Sequence, residues 1–186
     1  MKMLKEIKEI TKELEKEQKR FEEVISISNK IIRLSAQLIT SLHAKDRKLA
    51  NKLKKRLEQE VSKLMRIEKG LEYYSMQAHQ EYVEAVSLYN IIFAGKLPRR
   101  RSLGEAIPPY VLGIMDLVGE LKREAVDELR KGNRKLAERY YGLMKEIYDS
   151  TLHIRFANSI LPGFRKKQDV ARIQLESIAM ELLHNH

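Results

Sequence analysis

The chain has 186 residues, with 36 Lys plus Arg against 26 Asp plus Glu, 43% apolar residues, eight Gly and four Pro. That length suits one domain with a single core, spanning residues 1–186, and the composition excludes collagenous, low-complexity and disordered chains in favour of helices. With no Cys there is no disulfide frame, thiolate zinc site or cysteine nucleophile.

The positions Leu4, Ile7, Thr11, Leu14, Gln18, Phe21, Ile25, Ser28, Ile32, Ser35, Ile39 and Leu42 keep a three-four spacing, which predicts one long first helix with that set as its seam. No Gly or Pro interrupts it, and at about 1.5 Å per residue it approaches 60 Å, so part of it is expected to find a partner. The same opening stretch has no uninterrupted apolar run for a signal peptide or membrane span, which makes the cytoplasm the expected location and a membrane an unexpected partner. Asp46 predicts the start of a second helix through Leu49, Leu53, Leu57, Val61, Leu64 and Ile67, ending at Gly70. A third runs from Leu71 to Phe93 and stops at Gly95-Lys96-Leu97-Pro98. After an Arg-rich loop, Pro108-Pro109 opens a fourth helix that reaches Lys131. Gly132-Asn133 separates it from a fifth, Arg134 to His153, with Leu136, Tyr140, Leu143, Ile147 and Leu152 inward. Leu161-Pro162-Gly163 precedes a last helix, Lys166 to Leu183, carrying Val170, Ile173, Leu175, Ile178 and Leu182. No stretch alternates as a strand does, so the expected class is all-α, a bundle of six or seven helices.

Charge is unevenly placed. Residues 1–69 hold 19 basic and 11 acidic groups, whereas residues 70–186 hold 17 and 15, six of the positive ones in Arg99-Arg100-Arg101 and Arg165-Lys166-Lys167. Together with Lys52, Lys54, Lys55 and Arg56 in the second helix, these runs fit contact with a polyanion such as nucleic acid or an anionic membrane face. Solvated helix faces are the plain alternative.

In the third helix Glu81 and Glu84 share an arc with Tyr74, Ala78, Ala85, Leu88 and Ile92, while His79, Gln80, Ser87 and Asn90 lie opposite. Two carboxylates one turn apart on an apolar side repel, and a hard divalent cation such as Mg²⁺ or Mn²⁺ would offset that; partial exposure or an Arg partner would do so too. Asp116 and Glu120 in the fourth helix align with Arg123, Glu124 and Asp127, a pattern that a solvated acidic face also explains. Gly113 and Gly119 beside them would let a backbone or ligand approach closely. There is no phosphate loop or nucleophile elbow; His43, His79 and His153 stand apart, and His184 and His186 sit at the C-terminal end, so each His reads as structural. Tyr73-Tyr74 and Tyr140-Tyr141 read as core aromatics rather than base-stacking groups.

Three segments taken together are more specific: Gln80-Glu81-Tyr82-Val83-Glu84-Ala85-Val86-Ser87, then Tyr110-Val111-Leu112-Gly113-Ile114-Met115-Asp116-Leu117-Val118-Gly119-Glu120-Leu121, then Pro162-Gly163-Phe164-Arg165-Lys166-Lys167-Gln168-Asp169-Val170-Ala171-Arg172. In this order they resemble the translin family, on its translin-associated factor X side with the archaeal relatives, and the likeness runs from about Phe21 to the end. The resemblance implies a seven-helix fold, a closed hollow homo-octamer, and metal-dependent endonuclease action on single-stranded RNA, with binding of single-stranded DNA as a companion property. It implies that Glu81, Glu84 and Asp116 hold Mg²⁺ (or Mn²⁺), with Glu120 as a fourth ligand or water-orienting group. Their charge makes the basic runs Lys52, Lys54, Lys55 and Arg56, then Arg99, Arg100 and Arg101, then Arg165, Lys166 and Lys167 the expected phosphate contacts. The loop Pro98 to Gly104 departs from the family in being short and very basic. A catalytically inactive RNA- or DNA-binding scaffold is the alternative that the residues leave open.

Overall fold

Asp46 accepts a hydrogen bond from the Leu49 amide at 2.9 Å and so opens the second helix where expected. The computed structural model describes residues 2–184, as seven helices: α1 Lys2–His43, α2 Arg47–Ile67, α3 Glu72–Ala94, α4 Arg100–Leu103, α5 Ile107–Arg130, α6 Arg134–Thr151 and α7 Phe164–His184. Among the described residues there is no strand, and no helix is long and apolar enough to cross a membrane. His186 and the side chain of His184 lie outside the described residues. Prolines 108 and 109 sit in the first turn of α5, where a missing amide hydrogen costs nothing. The structure departs from the sequence expectation in four places: α2 stops at Ile67 before Gly70, a short α4 forms inside the Arg-rich loop, α6 stops at Thr151 before His153, and α7 begins two residues early at Phe164.

α1 and α2 form an antiparallel pair, and the Arg20 guanidinium clamps its far end by donating to the carbonyls of Ile67 (3.1 Å) and Lys69 (2.7 Å). These carbonyls lie at and just beyond the α2 C-terminus, where backbone acceptors lack helical partners. The buried seam of α1 is Val24, Ser28, Ile31, Leu34, Ser35, Leu38 and Leu42. It is turned by about one position from the expected seam: Phe21, Ile25, Ile32 and Ile39 sit half-buried on its flank, and Leu4, Ile7, Thr11, Leu14 and Gln18 are exposed. Elsewhere Leu49, Leu152, Val170 and Ile173, expected inward, are exposed, while Ala50, Ala137, Met144 and Ala171 fill the interior. Tyr140 is core as expected, but Tyr73 and Tyr74 are exposed, the latter edge-on to Phe21 at 5.0 Å.

α3 is the central helix, packed against α1 on one side and α5 on the other. Seven consecutive residues, Tyr82 to Leu88, are buried, so the face expected to lie opposite the carboxylates is interior as well. The approach of α5 is closest at Gly113, where a Cβ would fall 2.5 Å from the Gln80 carbonyl oxygen and 2.8 Å from Val83 Cβ. Gly119, one and a half turns on, faces the Gln174 side chain of α7 instead. Gly113→Ala is expected to push α3 and α5 apart and lower stability by about 1–3 kcal/mol. Gly142→Ala, on α6 with nothing within 4 Å, is expected to raise it by about 1 kcal/mol. Urea unfolding of the two variants side by side measures both signs.

A second tie joins the bottom of α3 to its neighbours. His79 Nε2 meets Glu68 Oε2 at 2.8 Å and Nδ1 meets Glu105 Oε1 at 2.9 Å, linking α3 to the C-cap of α2 and to the segment before α5. Burial opposes charge on the ring, but the two carboxyl groups outweigh it and lift the imidazole pKa from its ordinary 6.5 to about 9. Of the carboxyl partners, the deeper Glu105 is pushed up by burial, while His79 and Ser75 hold Glu68 below its usual range against its own burial. A raised folded-state pKa stabilises fully below pH 6.5, and the contribution drains as the unfolded ring loses its proton and the folded ring keeps it up to about 9. Stability is therefore expected to fall between pH 6.5 and 9, less steeply in His79→Gln, as denaturant titrations across that range would read.

Candidate functional site

Because Gly113 admits the α3 backbone, the α3 residues Gln80, Glu81 and Glu84 face Met115 and Asp116 of α5 across a gap that the start of α7 closes with Lys166, Lys167, Val170 and Gln174. Together with Gly163 these residues line a cavity of about 570 Å³. Three of the four expected acidic residues thus meet in one place.

Their states differ. Glu84 is 9% exposed, and among the described residues nothing hydrogen-bonds or ion-pairs with its carboxyl group. Burial, then the charges of Asp116, Glu81 and Glu120, push its pKa up to about 9. Glu81 is half-buried and is raised by the same desolvation and by Asp116, with Gln77 and Lys167 acting against the shift. Asp116 is held by protein donors on both oxygens: Gln80 Nε2 reaches Oδ2 at 2.5 Å, and the Lys167 ammonium pairs with Oδ1.

Glu120 is drawn away from that cavity. His43, at the end of α1, bridges Glu120 Oε2 (2.5 Å from Nε2) and Glu124 Oε1 (2.7 Å from Nδ1). Glu124 is fully buried, accepts a second contact from the Lys45 ammonium, and lies a turn from the buried Glu128, which Asn133 and Lys131 satisfy. Burial disfavours the charged ring of His43, yet Glu120 and Glu124 outweigh it and raise the pKa; His43 and Lys45 likewise hold Glu124 below its usual range against burial. Glu120 and Glu124 of the α5 acidic face are therefore tied into an ion network, which corrects the solvated-face reading for them while Arg123 stays exposed and Asp127 half-exposed, and His43 and His79 each bridge two carboxyl groups and do not stand apart. Glu124, Glu128, Gln80, His43 and Lys45 are the residues that sequence reasoning missed. For His43 and Glu124 the available signal was an apolar-flanked His beside a Glu repeat at 120, 124 and 128.

The cavity suits a hard divalent cation in its chemistry, since it gathers the carboxyl groups of Glu81, Glu84 and Asp116, and that of Glu84 has no protein partner among the described residues. As the side chains stand, no three Asp, Glu or His groups among the described residues converge to hold a metal ion. Asp116 would have to leave Lys167, and Glu120 would have to leave His43.

Of the basic runs, the structure brings only the one at 165–167 to the acids. Lys166 lines the cavity, and Lys167 is half-buried in its ion pair with Asp116, so it is not the free phosphate contact expected from sequence. On α2, Lys52, Lys55 and Arg56 are exposed; Lys54 pairs with Glu58 at 2.6 Å and sits 5.3 Å over the Tyr89 ring. Arg99 and Arg101 are exposed, but Arg100 donates to the Glu105 carbonyl at 2.7 Å and braces the loop.

An all-α bundle with an acidic cavity between its two central helices and a basic rim defines the class, and sequence and fold place it further. Residues 4–180 match the translin family, and the chain belongs to that family. It is 32% identical over 160 residues to an uncharacterized protein of Methanocaldococcus jannaschii, covering 83% of this chain and 71% of that one. The fold matches apo-NeC3PO with a TM-score of 0.90 at 26% identity over 97% of each chain. It matches AfC3PO in its duplex RNA complex with a TM-score of 0.89 at 27% identity, over 97% of this chain and 96% of that one. AfC3PO alone gives 0.90 at 28% identity with the same coverage.

Proposed function

We propose that this chain binds RNA through its basic surfaces and cleaves single-stranded RNA as a metal-dependent endoribonuclease within a closed homo-octamer. The single observation that carries the reading is Glu84, a residue only 9% exposed whose carboxyl group lines the cavity with Glu81 and Asp116 and has no hydrogen-bond or ion-pair partner among the described residues. Such a group costs stability and is retained where it has work to do. Membership of the translin family and the fold match to AfC3PO with duplex RNA support RNA as the polymer. The stripe Leu4, Ile7, Ile10 and Leu14, exposed along α1, supports an assembly larger than one chain.

In this reading Glu81, Glu84 and Asp116 would hold Mg²⁺ or Mn²⁺, with Glu120 as a fourth ligand or as the group that orients a water. Such an ion supplies polarisation of a phosphodiester and a more acidic water. Lys166 on the cavity wall, with the exposed Arg165 beside it in sequence, would contact RNA phosphates, and Gln80 would hold Asp116 in register with α3. A second reading, an RNA- or DNA-binding scaffold without cleavage, is favoured by one observation: Lys167 and His43 already neutralise Asp116 and Glu120.

Labelled single-stranded RNA incubated with the protein in Mg²⁺ is expected to be cut, and EDTA to stop it. Glu81→Ala, Glu84→Ala and Asp116→Ala are each expected to lower the rate by about 100-fold or more with RNA affinity nearly unchanged. Normal cleavage by Glu81→Ala would mean that the chemistry lies elsewhere, and uncut RNA bound by the wild type in Mg²⁺ would select the scaffold.

Phosphate contacts release counterions, so affinity is expected to fall steeply with salt. Reversing charge at Arg99, Arg100 and Arg101, or at Lys52, Lys54, Lys55 and Arg56, is expected to weaken binding of every sequence alike and to reduce the salt slope by about 1 for each phosphate no longer neutralised. Binding that stays flat from low to physiological salt would count against this mode. Running single-stranded and duplex RNA in parallel reads the strand preference.

A further inference from the structure

Of the run Arg165-Lys166-Lys167, the first two side chains are exposed, whereas Lys167 turns inward and pairs with Asp116 Oδ1. Both oxygens of Asp116 are thereby occupied, because Gln80 holds Oδ2 at 2.5 Å. In the same cavity Glu84, nine-tenths buried, has no hydrogen bond or ion pair among the described residues, and Glu81 lies one turn before it. Of the two lysines that line the cavity, Lys167 is the one that pairs with a carboxyl group there, and it neutralises one of three.

We propose that Lys167 is a built-in counter-cation of this cavity that competes with a divalent cation for Asp116, so that the cation binds only as the ammonium leaves. The inference rests on the metal-dependent reading above and adds its regulation. Three features of the site carry it. The Lys167 side chain is 27% exposed, so the ammonium has a route outward toward Lys166 and the open rim. A lysine is a compact charge on a flexible four-carbon stem that can swing without moving α7. A divalent cation and an ammonium that share one carboxylate repel, and the coupling acts equally on both: whatever Lys167 costs the cation, the cation costs the Lys167–Asp116 pair. Once displaced, the ammonium remains on the cavity wall beside Lys166, positioned for a phosphate oxygen. Binding of the cation and of a phosphate would then reinforce each other through one side chain.

The test is Mn²⁺ binding, followed by calorimetry on metal-stripped full-length protein, for the wild type, Lys167→Met, Lys167→Arg and Glu81→Gln. Methionine keeps the stem and removes the charge. Lys167→Met is expected to bind Mn²⁺ roughly tenfold more tightly than the wild type, a typical coupling magnitude, while Lys167→Arg stays near the wild type and Glu81→Gln loses affinity. Equal or weaker binding by Lys167→Met overturns the competition and leaves the cation site standing. Absence of Mn²⁺ binding in both the wild type and Lys167→Met overturns the cation site itself, and the competition with it. Should Lys167→Met fail to fold, Lys167→Gln provides the same comparison.

Discussion

The approach of α5 to α3 at Gly113 is the constraint from which the site follows. No side chain larger than hydrogen fits between the Gln80 carbonyl and the Val83 side chain, so the two backbones meet where the carboxylates stand. That close approach sets Gln80 within reach of Asp116 and brings Glu81 and Glu84 to the same side. α7 then closes the cavity, its Gln174 filling the space beside Gly119. Because each acidic group is mounted on a helix interior, the geometry is fixed by core packing and not by a loop, the arrangement that holds functional groups most tightly.

Gathering acids along a packed interface carries an electrostatic cost, and the molecule meets it in three ways. Protein cations neutralise some groups: Lys167 pairs with Asp116, and His43 and Lys45 pair with Glu120 and Glu124. Hydrogen-bond donors satisfy others, as Asn133 does for Glu128. Glu84 has neither and is raised toward its neutral form by burial and its acidic neighbours. The contrast between Glu84 and Glu124 is informative, since both are buried glutamates shifted in opposite directions. Glu124 has the pairing expected of a structural ion, whereas Glu84, with no such partner, is shifted toward the neutral acid.

Much of the fold was legible because chain punctuation is local. Asp46, Pro108-Pro109 and Gly132-Asn133 mark helix ends through backbone chemistry that needs no tertiary knowledge, and the helices stop close to them. The orientation of helices was less legible. On α1 the isoleucines at 25, 32 and 39 compete with Val24, Ile31 and Leu38 for the interior, and a helix with two adjacent apolar stripes does not say which one packs. α3 defeats wheel arithmetic altogether, being buried all round. For the site, the family motifs pointed to Glu81, Glu84 and Asp116, which do share a cavity. The partners of Asp116 and Glu120 were illegible, because Lys167 and His43 come from helices 51 and 77 residues away in sequence. Composition counts such groups as surface charge; only packing turns them inward.

The long first helix completes the argument about scale. Its residues from about Arg20 onward lie against α2 and α3, but every side chain from Met3 to Lys19 is exposed, including Met3, Leu4, Ile7, Ile10 and Leu14. Helical stability in proteins comes mostly from packing of an amphipathic face, which this stretch lacks within one chain. Interactions within it, such as Gln18 with Glu22 and Thr11 with the Ile7 carbonyl, add only small increments. An apolar stripe flanked by interleaved Lys and Glu is stabilised efficiently by a second helix of the same kind, where the stripe is covered and the mixed charges pair at its edges. The bundle of one chain builds the acidic cavity, and the uncovered first part of α1 is the part of the sequence whose physics calls for more than one chain.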